Sequence, residues 1–99
     1  MANSLEDNVK KLKVLSDETR LNLVQMLAGE EQCTCDLLAN FQISQPTLSY
    51  HMKMLKDQEL ISSRKEGNKT MYSLRKDEYR ELVEFMKNLG KINNEVVNK

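Results

Sequence analysis

Cys33 and Cys35 are separated by one residue and are the two cysteines of the chain. Two thiols at this spacing form a soft-ligand site, which suits trivalent arsenic or antimony and also divalent lead, cadmium or zinc. Pyramidal coordination by three sulfurs suits arsenic, whereas closed zinc sites take four ligands. A disulfide across so short a ring is disfavoured, and a reducing compartment opposes it further. We therefore interpret the pair as free thiols that bind a metal or metalloid.

A second set of side chains has the chemistry of a DNA-binding surface. Glutamine bonds adenine through two hydrogen bonds, a threonine methyl contacts thymine, and cations bind phosphates or enter the minor groove. The formal net charge is zero, which counts against a nucleic-acid partner, but residues 61–76 carry five cations and one anion. The candidate DNA contacts are Gln45, Thr47, Ser49, Tyr50, Lys53, Arg64, Lys65 and Lys69. For His51, beside the apolar stripe of its helix, we expect a packed, hydrogen-bonded role.

The elements that must position these residues are predicted from apolar spacing, helix caps and turn signals. Pro46 in a first helical turn is tolerated, and a Glu-Gly-Asn sequence between two extended runs indicates a hairpin. The predicted elements are helices over 5–15, from a Ser16 cap to Gly29, over 33–41 and from a Ser44 cap, a hairpin over 60–65 and 69–74, and a helix over 77–89. This order predicts one mainly α domain over 1–99, a winged helix-turn-helix with a β-hairpin as its wing.

The same periodicity predicts how the cysteines would regulate DNA binding. Residues i and i+2 of an α-helix point about 200° apart around the axis. Two side chains that point so differently cannot easily hold one ion, so we expect binding to require that the first turn of this helix is non-helical or unwinds. Because this helix braces the recognition helix, we expect ligation to bias the domain away from its DNA-bound shape.

The composition excludes several other classes of protein. Hydrophobic residues make up 39% and charged residues 30% of the 99 residues, as in a soluble globular domain. No apolar run approaches the roughly 20 residues that cross a membrane, and residues 1–7 do not resemble a signal peptide. We therefore expect a cytoplasmic protein. The sequence has no phosphate-cradling glycine loop and no nucleophile–base pair, so we expect neither an enzyme nor a catalytic cofactor.

Three segments together resemble the ArsR/SmtB family of metalloregulatory repressors, in particular its arsenic-responsive branch. Residues 31–37, Glu-Gln-Cys-Thr-Cys-Asp-Leu, are similar to the family's metal-binding box, whose usual form is Glu-Leu-Cys-Val-Cys-Asp-Leu. Residues 44–53 resemble its recognition helix. Leu60-Ile61, residues 64–69 and Tyr72 resemble its wing. The match covers about residues 8–88.

The resemblance implies a homodimer, packed through the first and last helices, that represses a resistance operon from an inverted-repeat operator. It implies release from double-stranded DNA when As(III), Sb(III) or another thiophilic metal binds Cys33 and Cys35. Some members have a third cysteine where this chain has Leu38, so the third ligand is an external thiol, water or a residue elsewhere in the dimer. Residues 1–15 lack the cysteines of the cadmium and lead sensors, and residues 76–99 lack the histidine of the zinc and nickel sensors.

Two alternatives remain at this point. In the first, the protein binds DNA but the cysteines form a thiol redox switch, so that oxidation rather than arsenite releases the operator. In the second, the winged helix is a protein-interaction module that never binds DNA, which would agree with the zero net charge.

Overall fold

The computed structural model describes residues 4–91, which form five helices and three strands. In chain order these are α1 (Leu5–Leu15), α2 (Glu18–Gly29), β1 (Gln32–Cys33), α3 (Thr34–Asn40), α4 (Gln45–Asp57), β2 (Ile61–Glu66), β3 (Lys69–Leu74) and α5 (Lys76–Lys91). The helix pair α3–α4 followed by the β2–β3 hairpin confirms the predicted winged helix-turn-helix. Within residues 4–91, every helix is too short or too polar to cross a membrane.

Side-chain caps set the helix starts. The Ser44 hydroxyl accepts from the backbone N–H of Thr47 at 3.2 Å and so begins α4 where the sequence predicts. The start of α2 differs from the prediction, because Asp17 and not Ser16 is its cap. The Asp17 carboxylate accepts from the N–H of Arg20 at 3.0 Å. Ser16 instead ends α1, where its N–H donates to the carbonyls of two residues of the last turn.

The core lies between α2, α3, α4 and the base of the hairpin. The predicted apolar stripe of α4, which is Leu48, Met52 and Leu55, is fully buried. The largest side chains of the core are Leu23, Leu37, Leu48, Leu55, Leu60 and Ile61. Their burial removes apolar surface from water and fixes the position of α4 on the rest of the domain.

The sheet has three strands where the sequence predicts two. Its order is β1-β3-β2 and both pairs are antiparallel, so β3 lies in the centre. Gly67 and Asn68 form the turn of the hairpin, and Gly67 has φ 63°, which glycine adopts without a Cβ clash. The two-residue strand β1 pairs Gln32 with Tyr72 and Cys33 with Met71. It was missed because it is too short to show a period-2 pattern.

Candidate functional site

Cys33 lies at the junction of β1 and α3, outside the helix in which the sequence places it. It is the N-cap of α3 and has extended backbone angles, φ −87° and ψ 166°. Its Sγ accepts from the N–H of Asp36, and its own N–H donates to Asp36 Oδ2, both at 3.1 Å. This reciprocal pair is a capping box built on a sulfur. Cys33 is 3% exposed, whereas Cys35 in the first turn of α3 is exposed.

The sulfurs of Cys33 and Cys35 are joined in a disulfide. The prediction of free thiols is therefore wrong for this structure. Of the two conformations predicted to bring the sulfurs together, a non-helical first turn or an unwound one, the structure has the non-helical one at Cys33, and α3 itself stays helical. The reason is the extended backbone of Cys33, which turns its side chain back over the first turn. Once reduced, the two thiols would lie side by side while α3 stays helical, so the unwinding mechanism is not required.

A carboxylate completes a group of three donors at the start of α3. Among the described residues, the ligand atoms of Cys33, Cys35 and Asp36 lie within 4.8 Å of one another. Two thiolates beside one carboxylate form a donor set that fits thiophilic ions. The sequence signal for Asp36 was its place in the metal-binding box, but the spacing of the cysteines alone did not identify it.

The two cysteines line a cleft between α3 and the wing. The cleft has a volume of about 410 Å³. It is lined by Cys33, Thr34, Cys35, Leu38, Gln45, Lys65, Asn68, Lys69 and Thr70. Three predicted DNA contacts, Gln45, Lys65 and Lys69, therefore share one cavity with both predicted metal ligands.

The remaining predicted contacts of α4 form an exposed polar face. Thr47, Ser49 and Tyr50 are exposed, and the exposed fraction of Tyr50 is 58%. The N-terminus of α4 presents backbone N–H groups, which favour an anion such as a phosphate. Lys53 is exposed as well, but its ammonium contacts Asp57 one turn later at 3.1 Å.

A three-helix contact holds this recognition helix in place. Arg20 of α2 donates from Nε to the carbonyl of Val14 at 2.6 Å, and its Nη1 lies 3.1 Å from Nδ1 of His51. This confirms the expected packed, hydrogen-bonded role of His51. The N–H of Arg20, together with its charge, holds the pKa of the Asp17 carboxyl below its ordinary value. Sequence reasoning missed Arg20, because the ends of this contact lie 31 residues apart.

On the wing, Arg64 is already engaged by a carboxylate. Its Nε and Nη2 donate to the two oxygens of Glu31 at 2.8 and 2.7 Å. A third, longer contact joins Nη2 to Glu66 at 3.3 Å. The hydrogen bond from Arg64, followed by its charge, lowers the pKa of Glu31, and Glu31 raises the pKa of Arg64. Arg64 therefore differs from Lys65 and Lys69 in its pairing. Neither lysine forms an ion pair with another residue of 4–91.

The fold and this surface define a winged helix-turn-helix protein with two cysteines, one residue apart, beside its wing. The family model described as "Bacterial regulatory protein, arsR family" matches residues 17–63. An arsenical resistance operon repressor from Staphylococcus xylosus is 60% identical over 63 residues, which are 64% of this chain and 61% of the relative. An arsenical resistance operon repressor from Bacillus subtilis (strain 168) is 36% identical over 75 residues, 75% of this chain and 71% of the relative.

Solved structures give the same assignment. A crystal structure described as a possible transcriptional regulator for arsenical resistance has a TM-score of 0.75 and 29% identity, covering 86% of this chain and 88% of that one. The chain therefore belongs to the arsR family of bacterial regulatory proteins, which confirms the resemblance drawn from its motifs. The family and these relatives carry the names of regulators and not of enzymes. The alignment spans 61% of the length of the Staphylococcus xylosus relative.

Proposed function

We propose that this protein is a metalloid-responsive transcriptional repressor. It binds a double-stranded operator through α4 and the wing, and it leaves the operator when As(III) or Sb(III) binds the reduced thiols of Cys33 and Cys35. The observation that carries the proposal is the shared cleft, in which both cysteines lie with Gln45, Lys65 and Lys69. The names of the arsenical resistance relatives support the choice of inducer.

The polar face of α4 and the lysines of the wing supply the DNA contacts. Gln45, Thr47, Ser49 and Tyr50 would reach base edges or phosphates, and Lys53, Lys65 and Lys69 would contact phosphates. Arg64 would contact DNA only if its ion pair with Glu31 breaks. The interaction-module alternative does not explain why Gln45 of α4 and two wing lysines, which have no ion-pair partner in residues 4–91, line the same cleft as the cysteines.

A homodimer would complete the DNA-binding unit. Helices α1 and α5 expose large apolar side chains, which are Leu5, Val9, Val83, Met86 and Leu89. Apolar faces of this kind are commonly covered by a partner. We propose that α1 and α5 pack against a second copy of the chain, as the resemblance implies. Sedimentation equilibrium of the reduced protein checks this step.

The function is tested by fluorescence anisotropy with a labelled duplex taken from upstream of the protein's own gene. Reduced protein is titrated with arsenite, antimonite, lead, cadmium and zinc in a thiol-free reductant. Arsenite and antimonite should release the parent protein but not the Cys33→Ser or Cys35→Ser variant. Ala39→Ser, which adds a hydroxyl to the same helix, should be released like the parent. No release of the parent by any of these ions would refute the proposal.

The disulfide favours a second candidate function, a thiol–disulfide switch. Because the sulfurs of Cys33 and Cys35 are adjacent, an oxidant that accepts two electrons and two protons would close the bond without a conformational search. Oxidised and reduced protein should then differ in operator affinity in the absence of any metalloid. Equal affinities of the two forms, with arsenite acting only on the reduced form, would leave metalloid sensing as the function.

A further inference from the structure

The cleft beside the cysteines has fewer sulfur ligands than trivalent arsenic takes. Trivalent arsenic takes three sulfurs, and the whole chain has two cysteines. Asp36 offers a carboxylate oxygen and not a sulfur, and its Oδ2 accepts the N–H of Cys33. The position of the third cysteine of some family members is held by Leu38, which lines the same cleft. A third sulfur must therefore come from outside the chain.

The cleft is also lined by two cationic side chains. Lys65 and Lys69 line it from β2 and β3. Lys69 also lines an adjoining cleft that contains two acids, Asp36 and Glu66. Within residues 4–91, neither acid forms an ion pair with Lys65 or Lys69, since Glu66 contacts Arg64 at 3.3 Å and Asp36 accepts the N–H of Cys33. Two lysines without an ion-pair partner in residues 4–91 thus line the same cleft of about 410 Å³ as the two cysteines. An occupant that matches both the cysteines and the lysines carries a thiol and carboxylates.

We propose that this cleft binds a small external thiol bearing carboxylates, which supplies the third sulfur to a metalloid held by Cys33 and Cys35. Its carboxylates pair with Lys65 and Lys69. The inference rests on the proposed function and identifies the co-ligand of its inducer site. A bound co-ligand would also strengthen the release that metalloid binding causes, because Lys65, Lys69 and Gln45 are proposed DNA contacts and the carboxylates would occupy the lysines.

The chemistry balances without a further reactant. Two molecules of the external thiol first reduce the protein disulfide: they give two electrons and two protons to the protein sulfurs and leave as their own disulfide. Arsenous acid then exchanges its three As–O bonds for three As–S bonds, two to the protein and one to the external thiol. Each thiol proton leaves with a hydroxide as water, and the oxidation state of arsenic does not change.

The test compares three thiols as co-ligands of arsenite. Fully reduced protein in a phosphine reductant is titrated with arsenite and followed by the ultraviolet absorbance of As–S bonds. The titration is repeated with mercaptosuccinate, which is anionic, with 2-mercaptoethanol, which is neutral, and with cysteamine, which is cationic. For each thiol, the affinity of the parent is divided by that of the Lys65→Gln/Lys69→Gln variant, which cancels the thiol's own affinity for arsenic.

We expect this ratio to be about fivefold for mercaptosuccinate, near one for 2-mercaptoethanol and below one for cysteamine. High salt should reduce the mercaptosuccinate ratio towards one. Lys87→Gln, an exposed lysine of α5 outside the cleft, should bind arsenite with the parent's affinity in every thiol. Equal ratios for the three thiols would overturn the inference.

Phenylarsine oxide separates this inference from the proposed function. Its arsenic carries a phenyl group in place of the third sulfur, so it needs the two protein thiols alone. It should bind the reduced parent and the double lysine variant equally, and with no external thiol present. If phenylarsine oxide and arsenite both bind but no thiol preference appears, the co-ligand site is wrong while metalloid sensing stands. If neither binds, both are wrong.

Discussion

Arg64 holds Glu31 through two parallel hydrogen bonds of 2.7 and 2.8 Å, across 33 residues of sequence. The pair joins the wing to the segment that leads into Cys33. A bidentate contact between guanidinium and carboxylate is the strong form of an ion pair, and it leaves Arg64 poorly available for a phosphate. The most basic segment of the chain therefore has one of its cations neutralised from within.

Glu31→Gln should release Arg64 to DNA. We expect tighter operator binding at low salt and a slope of log affinity against log salt that is steeper by about one unit, because one more phosphate contact forms. Glu66→Gln is the matched control, because it removes a wing carboxylate but leaves the bidentate pair intact. Anisotropy titrations between low and moderate salt give both slopes. A parent slope that becomes shallower by one unit in Arg64→Ala would contradict the idea that Glu31 occupies this arginine.

Arg20→Lys should loosen the recognition helix. Lysine keeps the charge but cannot donate to the carbonyl of Val14 and to His51 at once. We expect a loss of about 1–2 kcal/mol in the free energy of unfolding and weaker operator binding, both measured on reduced protein by urea denaturation and anisotropy. Arg80→Lys, on the exposed side of α5, should change neither quantity. A destabilised Arg20→Lys protein with full operator affinity would show that the contact is structural only.

Acid should weaken the domain through Asp17. The pKa of this carboxyl is lowered in the folded state from its ordinary value of 3.8, because the Arg20 N–H and then the Arg20 charge favour the ionised form. The stabilisation is present above that value and is lost as the pH falls through the lower, folded-state pKa. Asp17→Asn keeps a helix cap without the titration, so its urea midpoint should fall less than the parent's between pH 5 and pH 3. Equal falls would exclude Asp17.

The hydroxyl of Tyr79 should be dispensable. It is buried and, within residues 4–91, has no hydrogen-bond partner. Tyr79→Phe should therefore keep or raise the free energy of unfolding at pH 7, by up to about 1 kcal/mol. The exposed Tyr50→Phe serves as the control and should have no effect on stability. A clear destabilisation of Tyr79→Phe would mean that the hydroxyl is bonded in the assembled protein.

The same tyrosine predicts an alkaline limit. Desolvation raises the pKa of Tyr79 from 10.0 to about 12. A group whose pKa is raised by folding contributes stability below its unfolded pKa and loses it as the pH rises to the folded one. The parent should therefore lose more stability than Tyr79→Phe between pH 10 and pH 12. Thermal unfolding followed by circular dichroism at these pH values checks the difference.

Local signals predicted the helices and the hairpin of this fold. The signals for α4 lie close together in the sequence, and the helix forms where they predict it. They are the Ser44 cap, Pro46 and the apolar stripe of Leu48, Met52 and Leu55. Cys33 was misplaced because its conformation depends on Met71, a strand partner 38 positions further along the chain. No helical period carries information about such a partner.

The candidate site shows the same division. The types and spacing of Cys33 and Cys35 predicted them as metal ligands, and residue types predicted Lys65 and Lys69 as cations of the wing. That all four line one cleft follows from the packing of α3 against the sheet, which is a tertiary contact. The ion pair between Arg64 and Glu31 could not be predicted either, because its prediction requires knowledge of how the three strands align in the sheet.

That register places Cys33, Met71 and Arg64 in a single row across the sheet, with Met71 paired to both of the others. The row spans two strand spacings, about 10 Å. A displacement of the Cys33 main chain would thus reach the tip-ward half of the wing through only two ladders of backbone hydrogen bonds. Cys33 and the wing therefore belong to one hydrogen-bonded sheet, and a movement of one strand would be transmitted directly to the others.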